Sequence, residues 1–319
     1  MSRALIALLS LFFANSLLAQ NYPSKSLRLI TPVSAGSAVD TVARVVGQKL
    51  SDAWSQQVVV DNRIGANGII GTEAAAKSPA DGYTLYLGND AMLATNPNLY
   101  GKLPYDPVRD FAPVTLAASI PLVLVVHSSM PVKSVKELVA LAKAHPGEIN
   151  YASSGNGSPQ HLPMEMLKAA TGIKLVHVPY KGLIPALNDV VGGQVPLMFA
   201  GMSGALPHIQ SGRLRALAVG GTKRSPALPA VPTVAEAGVA GFNYAAWTGF
   251  LVPAGTPKDI VTKLHAEITR ILALPDVRDK LVNLGFELAG STPDEFGALI
   301  RNDIARVAKV VKDAGIRVE

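Results

Sequence analysis

The sequence predicts an α/β fold of two domains, each a mostly parallel sheet flanked by helices. The chain has 319 residues, which is enough for two separate hydrophobic cores. Short β-forming runs alternate with amphipathic helical patterns, as is typical of βα units. The alternation occurs in two series and the chain ends in helices, so we expect two crossovers, near residues 120–122 and near Trp247. The predicted boundaries are 20–121 plus 247–319 for domain 1 and 122–246 for domain 2, with the ligand cleft between them.

The first series begins with the strand LRLITP, and the apolar residues of the following segment VDTVARVVGQKL recur at helical spacing. QQVVVDN and YTLYLGN are the next strands, and the helical segment IIGTEAAAKS between them ends at Pro79 and Gly82. A turn-rich segment then precedes the long β-forming stretch FAPVTLAASIPLVLVVH. In VKSVKELVALAKAHP, Ser134 and Glu137 have the spacing of a capping box, which predicts a helix start.

The second series has the predicted strands EINYAS, KLVHVPY, VPLMFA and RLRALAVGG. The segments SPQHLPMEMLKAATG, IPALNDVVGG and LPHIQSG between them have helical patterns. The proline-rich segment SPALPAVPTVAEAG indicates a loop before the strand AAWTGFLVPAG, and the remaining tail has the pattern of three helices. Parallel strands connected by helices place ligand sites at the strand carboxyl ends.

The N-terminus has the plan of a secretory signal peptide. One Arg precedes an apolar stretch from Ala4 to Ala14, and small and polar residues follow up to Ala19, after which we expect cleavage. The chain contains no cysteine, which excludes disulfides and thiolate chemistry. The predicted location is therefore the bacterial periplasm, with residues 1–19 removed. The formal net charge of +6 mildly favours acidic small molecules, whereas no basic run interleaved with aromatic residues indicates nucleic acid binding.

A small-residue loop follows the first predicted strand. In TPVSAGSAVDTVAR, Ser34, Ala35 and Gly36 are small enough for backbone N–H groups to approach a ligand closely. Ser37 is a natural helix N-cap and Asp40 stands three residues later, so both have a structural interpretation. The first N–H groups of a helix have no partner within it, which makes such a loop a candidate anion site.

A second loop of this kind lies in the other half of the chain, in YASSGNGSPQHL. Ser158 is the expected N-cap and Pro159 the first helical residue. The motif lacks the third glycine of a dinucleotide-binding loop, and a plain tight turn is the alternative. Two helix N-termini, one from each domain, could together hold a carboxylate or dicarboxylate through neutral hydrogen bonds.

The order of the motifs resembles the Bug family, the periplasmic solute-binding proteins of tripartite tricarboxylate transporters. The resemblance covers essentially the whole mature chain and includes VVVDNRIGANGIIGTEAAAKSPADGYTL, LPYDPVRDFAPVTL, HPGEINYASSGNGSPQHL, HVPYKGLIPALNDVVGGQVPLMF and VPTVAEAGVAGF. It implies a type II-like periplasmic-binding-protein fold that closes on a carboxylate. Val33, Ala35 and Ser37 depart from the family's first loop, P-F-x-P-G-G-x-x-D, and Pro196 replaces a frequent Asp. These departures bear on which ligand is bound.

The candidate ligand-binding residues are those of the two loops, of the RIGANG turn, of the PYKG turn and of the strand VPLMFA. They are Val33, Ser34, Ala35, Gly36, Ser37, Asn67, Gly68, Ser153, Ser154, Gly155, Asn156, Gly157, Ser158, Tyr180, Lys181, Phe199 and Ala200. Asp90 would repel an anion and is interpreted as a cap or a solvated residue, and His161 as a capping or surface residue. The six histidines show no metal-ligand spacing, so we expect neither a metal nor a cofactor.

Three functions are compatible with the sequence. The first is an exported monomeric receptor that captures a small carboxylate and presents it to the membrane permease of a tripartite tricarboxylate transporter. The carboxylate is an organic or amino acid, and aromatic acids and dicarboxylates are among the alternatives. The second is a ligand receptor for a membrane sensor kinase. The third is a periplasmic hydrolase or isomerase, although the nucleophile-elbow, metalloprotease and P-loop motifs are missing.

Overall fold

The computed structural model describes residues 22–316, so the predicted signal peptide lies outside the described residues. The chain forms two lobes, each built on one sheet: a first lobe of residues 22–121 and 246–316, and a second lobe of residues 122–245. In the first lobe the strand order is β11 (Glu287–Leu288), β4 (Phe111–Ile120), β10 (Ala246–Pro253), β3 (Thr84–Asn89), β1 (Leu27–Thr31) and β2 (Val58–Asn62). In the second lobe it is β7 (Val176–Pro179), β6 (Asn150–Ser153), β8 (Leu197–Gly201), β5 (Leu122–His127) and β9 (Leu214–Val219). None of the helices in the described range combines the length and apolar character needed to cross a bilayer.

The elements of the first lobe alternate as the sequence predicts. They are β1 (Leu27–Thr31), α1 (Ala38–Trp54), β2 (Val58–Asn62), a turn at Ala66–Gly68, α2 (Ile69–Ala76), β3 (Thr84–Asn89), a π-type turn at Ala91–Thr95, α3 (Asn96–Leu99) and β4 (Phe111–Ile120). After the second lobe come β10 (Ala246–Pro253), α8 (Lys258–Ala273), α9 (Pro275–Asn283), β11 (Glu287–Leu288) and α10 (Pro293–Ala314).

The second lobe contains β5 (Leu122–His127), α4 (Val135–Ala144), β6 (Asn150–Ser153), α5 (His161–Thr171), β7 (Val176–Pro179), α6 (Leu183–Val191), β8 (Leu197–Gly201), α7 (Met202–Gln210) and β9 (Leu214–Val219). The long β-forming stretch of the sequence is divided at Pro121, where the chain passes from β4 in one sheet to β5 in the other. Helix α5 starts at His161, two residues later than the predicted start at Pro159.

The two-domain α/β architecture with flanking helices is confirmed, but the sheets are mixed rather than mostly parallel. In the first lobe β1 pairs in parallel with β2 and β3, whereas β10 is antiparallel to both β3 and β4. In the second lobe β5 is antiparallel to β8 and β9. The cause is the double crossover: β4 leaves the first lobe and β10 returns to it, so these neighbours run in opposite directions.

One hydrophobic cluster extends through both lobes, and a second lies within the second lobe. The cluster shared by the lobes includes Tyr86, Phe250 and Phe296 of the first lobe and Tyr151 and Phe199 of the second. The helices cover the sheets because their apolar residues share one face, as in α1, where Val39, Val42, Val46 and Leu50 are all buried. This packing places the loops that follow β1, β2, β3 and β6 at the carboxyl ends of their strands, where binding sites of α/β folds lie.

Candidate functional site

The first predicted loop is exposed and its helix is capped as the sequence indicates. Ser34, Ala35 and Gly36 are exposed, and Val33 and Ser37 are half-buried. The Ser37 hydroxyl accepts a hydrogen bond from the Asp40 N–H at 3.3 Å, which confirms Ser37 as the N-cap of α1. The N–H groups of Ser34 and Ala35 donate to no described residue, so they are available to a ligand.

Asp40 does more than occupy the first turn of α1. Its side chain is 2% exposed, and its Oδ2 atom accepts from the Gly36 N–H at 2.8 Å and from Arg44 Nε at 2.8 Å. Its Oδ1 atom accepts from Asn62 Nδ2, also at 2.8 Å. Burial alone would raise the pKa of this carboxyl, but the hydrogen bonds from Arg44, Asn62 and Gly36 outweigh burial and lower it. Asp40 therefore anchors the first loop as an anion.

The second loop has the same hydrogen-bond pattern. The Ser158 N–H donates to the Gly155 carbonyl at 3.2 Å, the Gly157 N–H donates to His161 Nδ1 at 3.0 Å, and the His161 N–H donates to the Ser158 hydroxyl at 3.3 Å. In the first loop the corresponding bonds are Ser37 N–H to Ser34 carbonyl, Gly36 N–H to Asp40 and Asp40 N–H to the Ser37 hydroxyl.

The two loops are thus equivalent in their geometry. In each, a glycine with positive φ (Gly36 at 80°, Gly157 at 71°) is held by the side chain four residues later. In both lobes the serine after this glycine accepts two N–H groups of the segment that follows. Its hydroxyl accepts the N–H three residues later, and its carbonyl accepts the N–H four residues later. The Gly-x-x-x spacing to Asp40 and to His161 was visible in the sequence, but only the structure shows that these side chains turn back onto the glycine amides.

The serine hydroxyls of the second loop are used within the loop. Ser153 Oγ is hydrogen-bonded to His177 Nε2 at 2.6 Å and accepts from the Gly155 N–H at 3.1 Å. The Ser154 hydroxyl donates to Gln160 Oε1 at 2.5 Å. Ser153, Gly157 and Ser158 are buried, whereas Asn156 is exposed, and its backbone N–H and side chain bond to no described residue.

Beneath the second loop lies a stack of rings that the sequence did not indicate. His161 and His177 stack with centroids 4.1 Å apart, and Tyr151 stacks on His177 at 4.9 Å. The Tyr151 hydroxyl donates to Glu165, which also accepts from Lys168 Nζ at 2.7 Å. Burial lowers the pKa of His161 and of His177 to about 4, so both rings are neutral near pH 7. The predicted surface role of His161 is wrong, because its side chain is buried.

The RIGANG turn after β2 has an unusual backbone. Ala66 and Asn67 have φ values of 46° and 50°, between Gly65 at 122° and Gly68 at 81°. Asn67 Nδ2 donates to Asn96 Oδ1 at 2.8 Å, and Asn96 Nδ2 donates to the Asn67 carbonyl at 3.0 Å. Gly68 is buried against Met92. The reciprocal amide pair fixes Asn67 and identifies Asn96 as a supporting residue that sequence reasoning missed.

The PYKG turn lies next to the second loop. The Tyr180 N–H donates to the Ser153 carbonyl at 3.0 Å, and the Tyr180 hydroxyl donates to Asp189 Oδ2 at 2.6 Å. Burial of the hydroxyl, together with its bond to Asp189, raises the pKa of Tyr180 to about 12. Lys181 is exposed, so this turn carries a cation beside the loop.

Phe199 and Ala200 lie within β8 and have no exposed surface. Phe199 stacks on Phe242 with centroids 6.0 Å apart, and Ala200 belongs to the core of the second lobe. These two residues offer no surface to a ligand in this arrangement of the lobes. The proposed site therefore does not include them.

The two lobes touch at the second loop. A Cβ atom at Gly157 would lie 2.0 Å from Leu99 Cδ1 and 3.4 Å from Thr95 Cγ2, so only glycine fits this contact. Thr95 and Leu99 flank Asn96, the partner of Asn67. The second loop and the RIGANG turn are thereby brought into one region. Within residues 22–316, no three His, Cys, Asp or Glu side chains are grouped as metal ligands would be.

Comparison with known proteins identifies the class to which this fold and site belong. The family model described as "Tripartite tricarboxylate transporter family receptor" matches residues 42–316. The chain belongs to this family of solute receptors, which also contains the Bug proteins, and it is a solute-binding protein and not an enzyme.

Three solved structures are similar to this chain over nearly their whole length. Rpa4515 of R. palustris with adipate is 39% identical, with a TM-score of 0.88 and coverage of 93% of this chain and 99% of that one. The periplasmic binding protein BugD is 34% identical, with a TM-score of 0.85 and coverage of 93% and 100%. MatC of Rhodopseudomonas palustris with bound malate is 32% identical, with a TM-score of 0.83 and coverage of 91% and 100%.

Proposed function

We propose that this protein captures a small dicarboxylate in the periplasm and delivers it to the permease of a tripartite tricarboxylate transporter. The observation that carries the proposal is the pair of equivalent loops, one in each lobe. Each loop ends at a helix N-terminus, where partial positive charge favours an anion. The two similar structures that contain adipate and malate support a ligand with two carboxylates.

The groups proposed to hold the ligand are mostly neutral donors. In the first loop they are the N–H groups of Ser34 and Ala35, and in the second loop the N–H and side-chain amide of Asn156. Lys181 provides a cation at the edge of the second loop. Val33 and Asn67 line the first-lobe side and select among acids of different length, with ordered waters filling any remaining gap. Neutral donors of this kind bind the carboxylate without chemical change.

Closure of the lobes on the ligand is the expected mode of action. A ligand that touches both loops binds the closed arrangement better than an open one and so shifts the population towards it. In this proposal other predicted site residues hold the loops in shape without binding the ligand directly. Those of the first loop are Gly36 and Ser37, and those of the second loop are Ser153, Ser154, Gly155, Gly157 and Ser158. Gly68 and Tyr180 do the same in the RIGANG and PYKG turns. The closed form is then the species that the permease recognises.

A thermal-unfolding screen of the mature chain, residues 20–319, tests this function. The panel contains adipate, malate, the corresponding monocarboxylates, amino acids, sugars and amines. A ligand at 100 times its dissociation constant should add about 2.7 kcal/mol to the free energy of unfolding. Stabilisation by dicarboxylates, followed by calorimetric titration, supports the proposal. Stabilisation by a sugar or an amine with no response to any acid would overturn it.

A further inference from the structure

His161 has the same position in the second loop as Asp40 has in the first, but a different charge. Each side chain accepts the N–H of the glycine four residues earlier, at 2.8 Å for Asp40 and at 3.0 Å for His161. Asp40 is an anion whose charge is compensated by Arg44 Nε at 2.8 Å. The two anchors therefore reach the same geometry with different side-chain chemistry.

The protonation state of His161 follows from its contacts. Because Nδ1 accepts the Gly157 amide hydrogen, the ring proton is on Nε2. Nε2 faces Glu165 Oε1 at 3.7 Å, and the ring stacks on His177 at 4.1 Å. Burial and the nearby Lys168 lower the pKa of His161 to about 4, so the ring is neutral near pH 7.

The charges around His161 leave no partner for a further anion. Glu165 accepts from Lys168 through both of its oxygens, at 2.7 and 2.9 Å. Lys168 is thus already paired with a carboxylate. In the first loop, Asp40 is the only carboxylate among the described residues that pairs with Arg44, whose Nη2 atom also donates to the neutral Asn62 Oδ1 at 2.9 Å. A carboxylate at position 161 could keep the bond to Gly157, but it would place an uncompensated negative charge beside the second loop.

We propose that His161 is a positioning residue that sets the affinity of the second loop for a carboxylate. Its neutral imidazole holds the Gly157 amide, which keeps the loop in the conformation that leaves the Asn156 N–H free. It achieves this without adding negative charge where the ligand's carboxylate binds. This inference rests on the proposed function, and it concerns a residue that does not itself touch the ligand.

The decisive experiment compares His161→Asn with His161→Asp by calorimetric titration with adipate and with malate. Both new side chains are short, and Asp40 shows that a carboxylate can accept a glycine amide at this spacing. The Asn variant should bind within about threefold of the wild type, whereas the added charge of the Asp variant should weaken binding at least about tenfold. High salt should reduce this difference. A role limited to holding the loop requires equal affinities for the two variants, and that result would overturn the proposal.

His161→Phe provides the second arm, because it retains the ring stack on His177 but has no acceptor for the Gly157 amide. Its Gly157 amide should exchange with solvent faster than that of the wild type, and dicarboxylate binding should weaken. If the Asp variant fails to fold, the Phe and Asn variants decide: wild-type affinity in the Phe variant would contradict the proposal. The wild type is titrated first. If no dicarboxylate binds the wild type, the proposed function fails. If the wild type binds, the differences in affinity among the variants test only the role of His161.

Discussion

The Tyr244 hydroxyl donates a hydrogen bond to Asp90 Oδ2 at 2.7 Å, and both side chains are buried where the chain re-enters the first lobe. Asp90 is only 3% exposed, and its Oδ1 atom has no hydrogen-bond partner among the described residues. The interpretation of Asp90 as a solvated residue is therefore wrong. Asp90 does precede the turn at Ala91–Thr95, but its side chain makes no capping hydrogen bond there. Burial raises the pKa of Asp90 to about 7, and the bond from Tyr244 offsets this only in part.

Asp90 should make the stability of the protein depend on pH. Its pKa is higher in the folded chain than the ordinary value of 3.8, so between these values the folded state holds a proton that the unfolded state releases. The contribution of Asp90 to the free energy of unfolding should therefore fall as pH rises, by about 1 kcal/mol per pH unit between about pH 5 and pH 7. Urea unfolding of the wild type and of a variant without this carboxyl, at several pH values, measures this contribution.

Asp90→Asn is the matched control for this slope. The amide oxygen can still accept from Tyr244, but the side chain does not titrate. The wild type must be compared with this variant at each pH because the lowered pKa values of His161 and His177 make the stability of both proteins rise with pH below about pH 6.5. The free energy of unfolding of the variant minus that of the wild type should increase from pH 5 to pH 8. A constant difference would show that Asp90 does not titrate in this range.

Most of the fold could be predicted from the sequence because local signals agree with the final structure. The strand before the first loop and the caps at Ser37 and Ser134 are all set by neighbouring residues. The predicted capping box at Ser134 is only half formed, because the Glu137 carboxylate accepts from the Lys133 N–H and not from the Ser134 N–H. The antiparallel pairing of β10 could not be predicted in the same way. It depends on which strand of the first lobe the returning chain meets, a contact between residues as distant as Thr115 and Phe250.

The site was predictable as a set of loops but not as a set of contacts. Small residues at Gly36 and Gly157 indicate a close backbone approach, whatever surrounds them. The sequence gives no reason for Ser154 to bond to Gln160 within the loop, because serine is equally able to bond to a ligand. His161 and His177 come together only because β6 and β7 are neighbours in the sheet. Their stack is a consequence of tertiary structure.

Asp40→Asn should destabilise the first loop. The Asp40 carboxylate accepts from three donors, so an amide NH₂ in its place must face either the Gly36 N–H or the Asn62 amide. We expect a loss of about 1–3 kcal/mol in the free energy of unfolding, together with weaker dicarboxylate binding. Chemical unfolding and calorimetry measure the two effects. Ser37→Ala, which removes only the cap, should cost about 1 kcal/mol. Equal losses in the two variants would contradict the anchoring role.

Gly36→Ala and Gly147→Ala form a pair that separates backbone strain from ligand contact. The φ values are 80° and 79°, and a Cβ atom at either position would meet nothing within 4 Å. Each substitution should therefore lower stability by a similar amount, about 1–2 kcal/mol. Gly36 lies in the first loop. Gly147 precedes β6, at the end of that strand opposite to the second loop. Only Gly36→Ala should weaken dicarboxylate binding in calorimetric titration, and equal affinities would remove Gly36 from the site.

Gly157→Ala should oppose closure of the lobes, and Leu99→Ala should relieve that effect. The new Cβ atom at position 157 would lie 2.0 Å from Leu99 Cδ1, so either the Leu99 side chain shifts or the two lobes separate. The single variant should show a larger radius of gyration in small-angle scattering with ligand present, and a weaker affinity.

Leu99→Ala removes the clashing methyl group, so the double variant should recover part of the lost affinity and part of the smaller radius of gyration. The coupling between the two positions should reach about 0.5–3 kcal/mol in a double-mutant cycle on binding. Gly155→Ala is the control, since its φ of 127° is also positive but its Cβ atom would meet only the Tyr180 carbonyl at 3.6 Å. Leu99→Ala should not rescue that variant. Rescue of both glycine variants to the same extent would mean that Leu99 acts on the second loop in general and not through contact with Gly157.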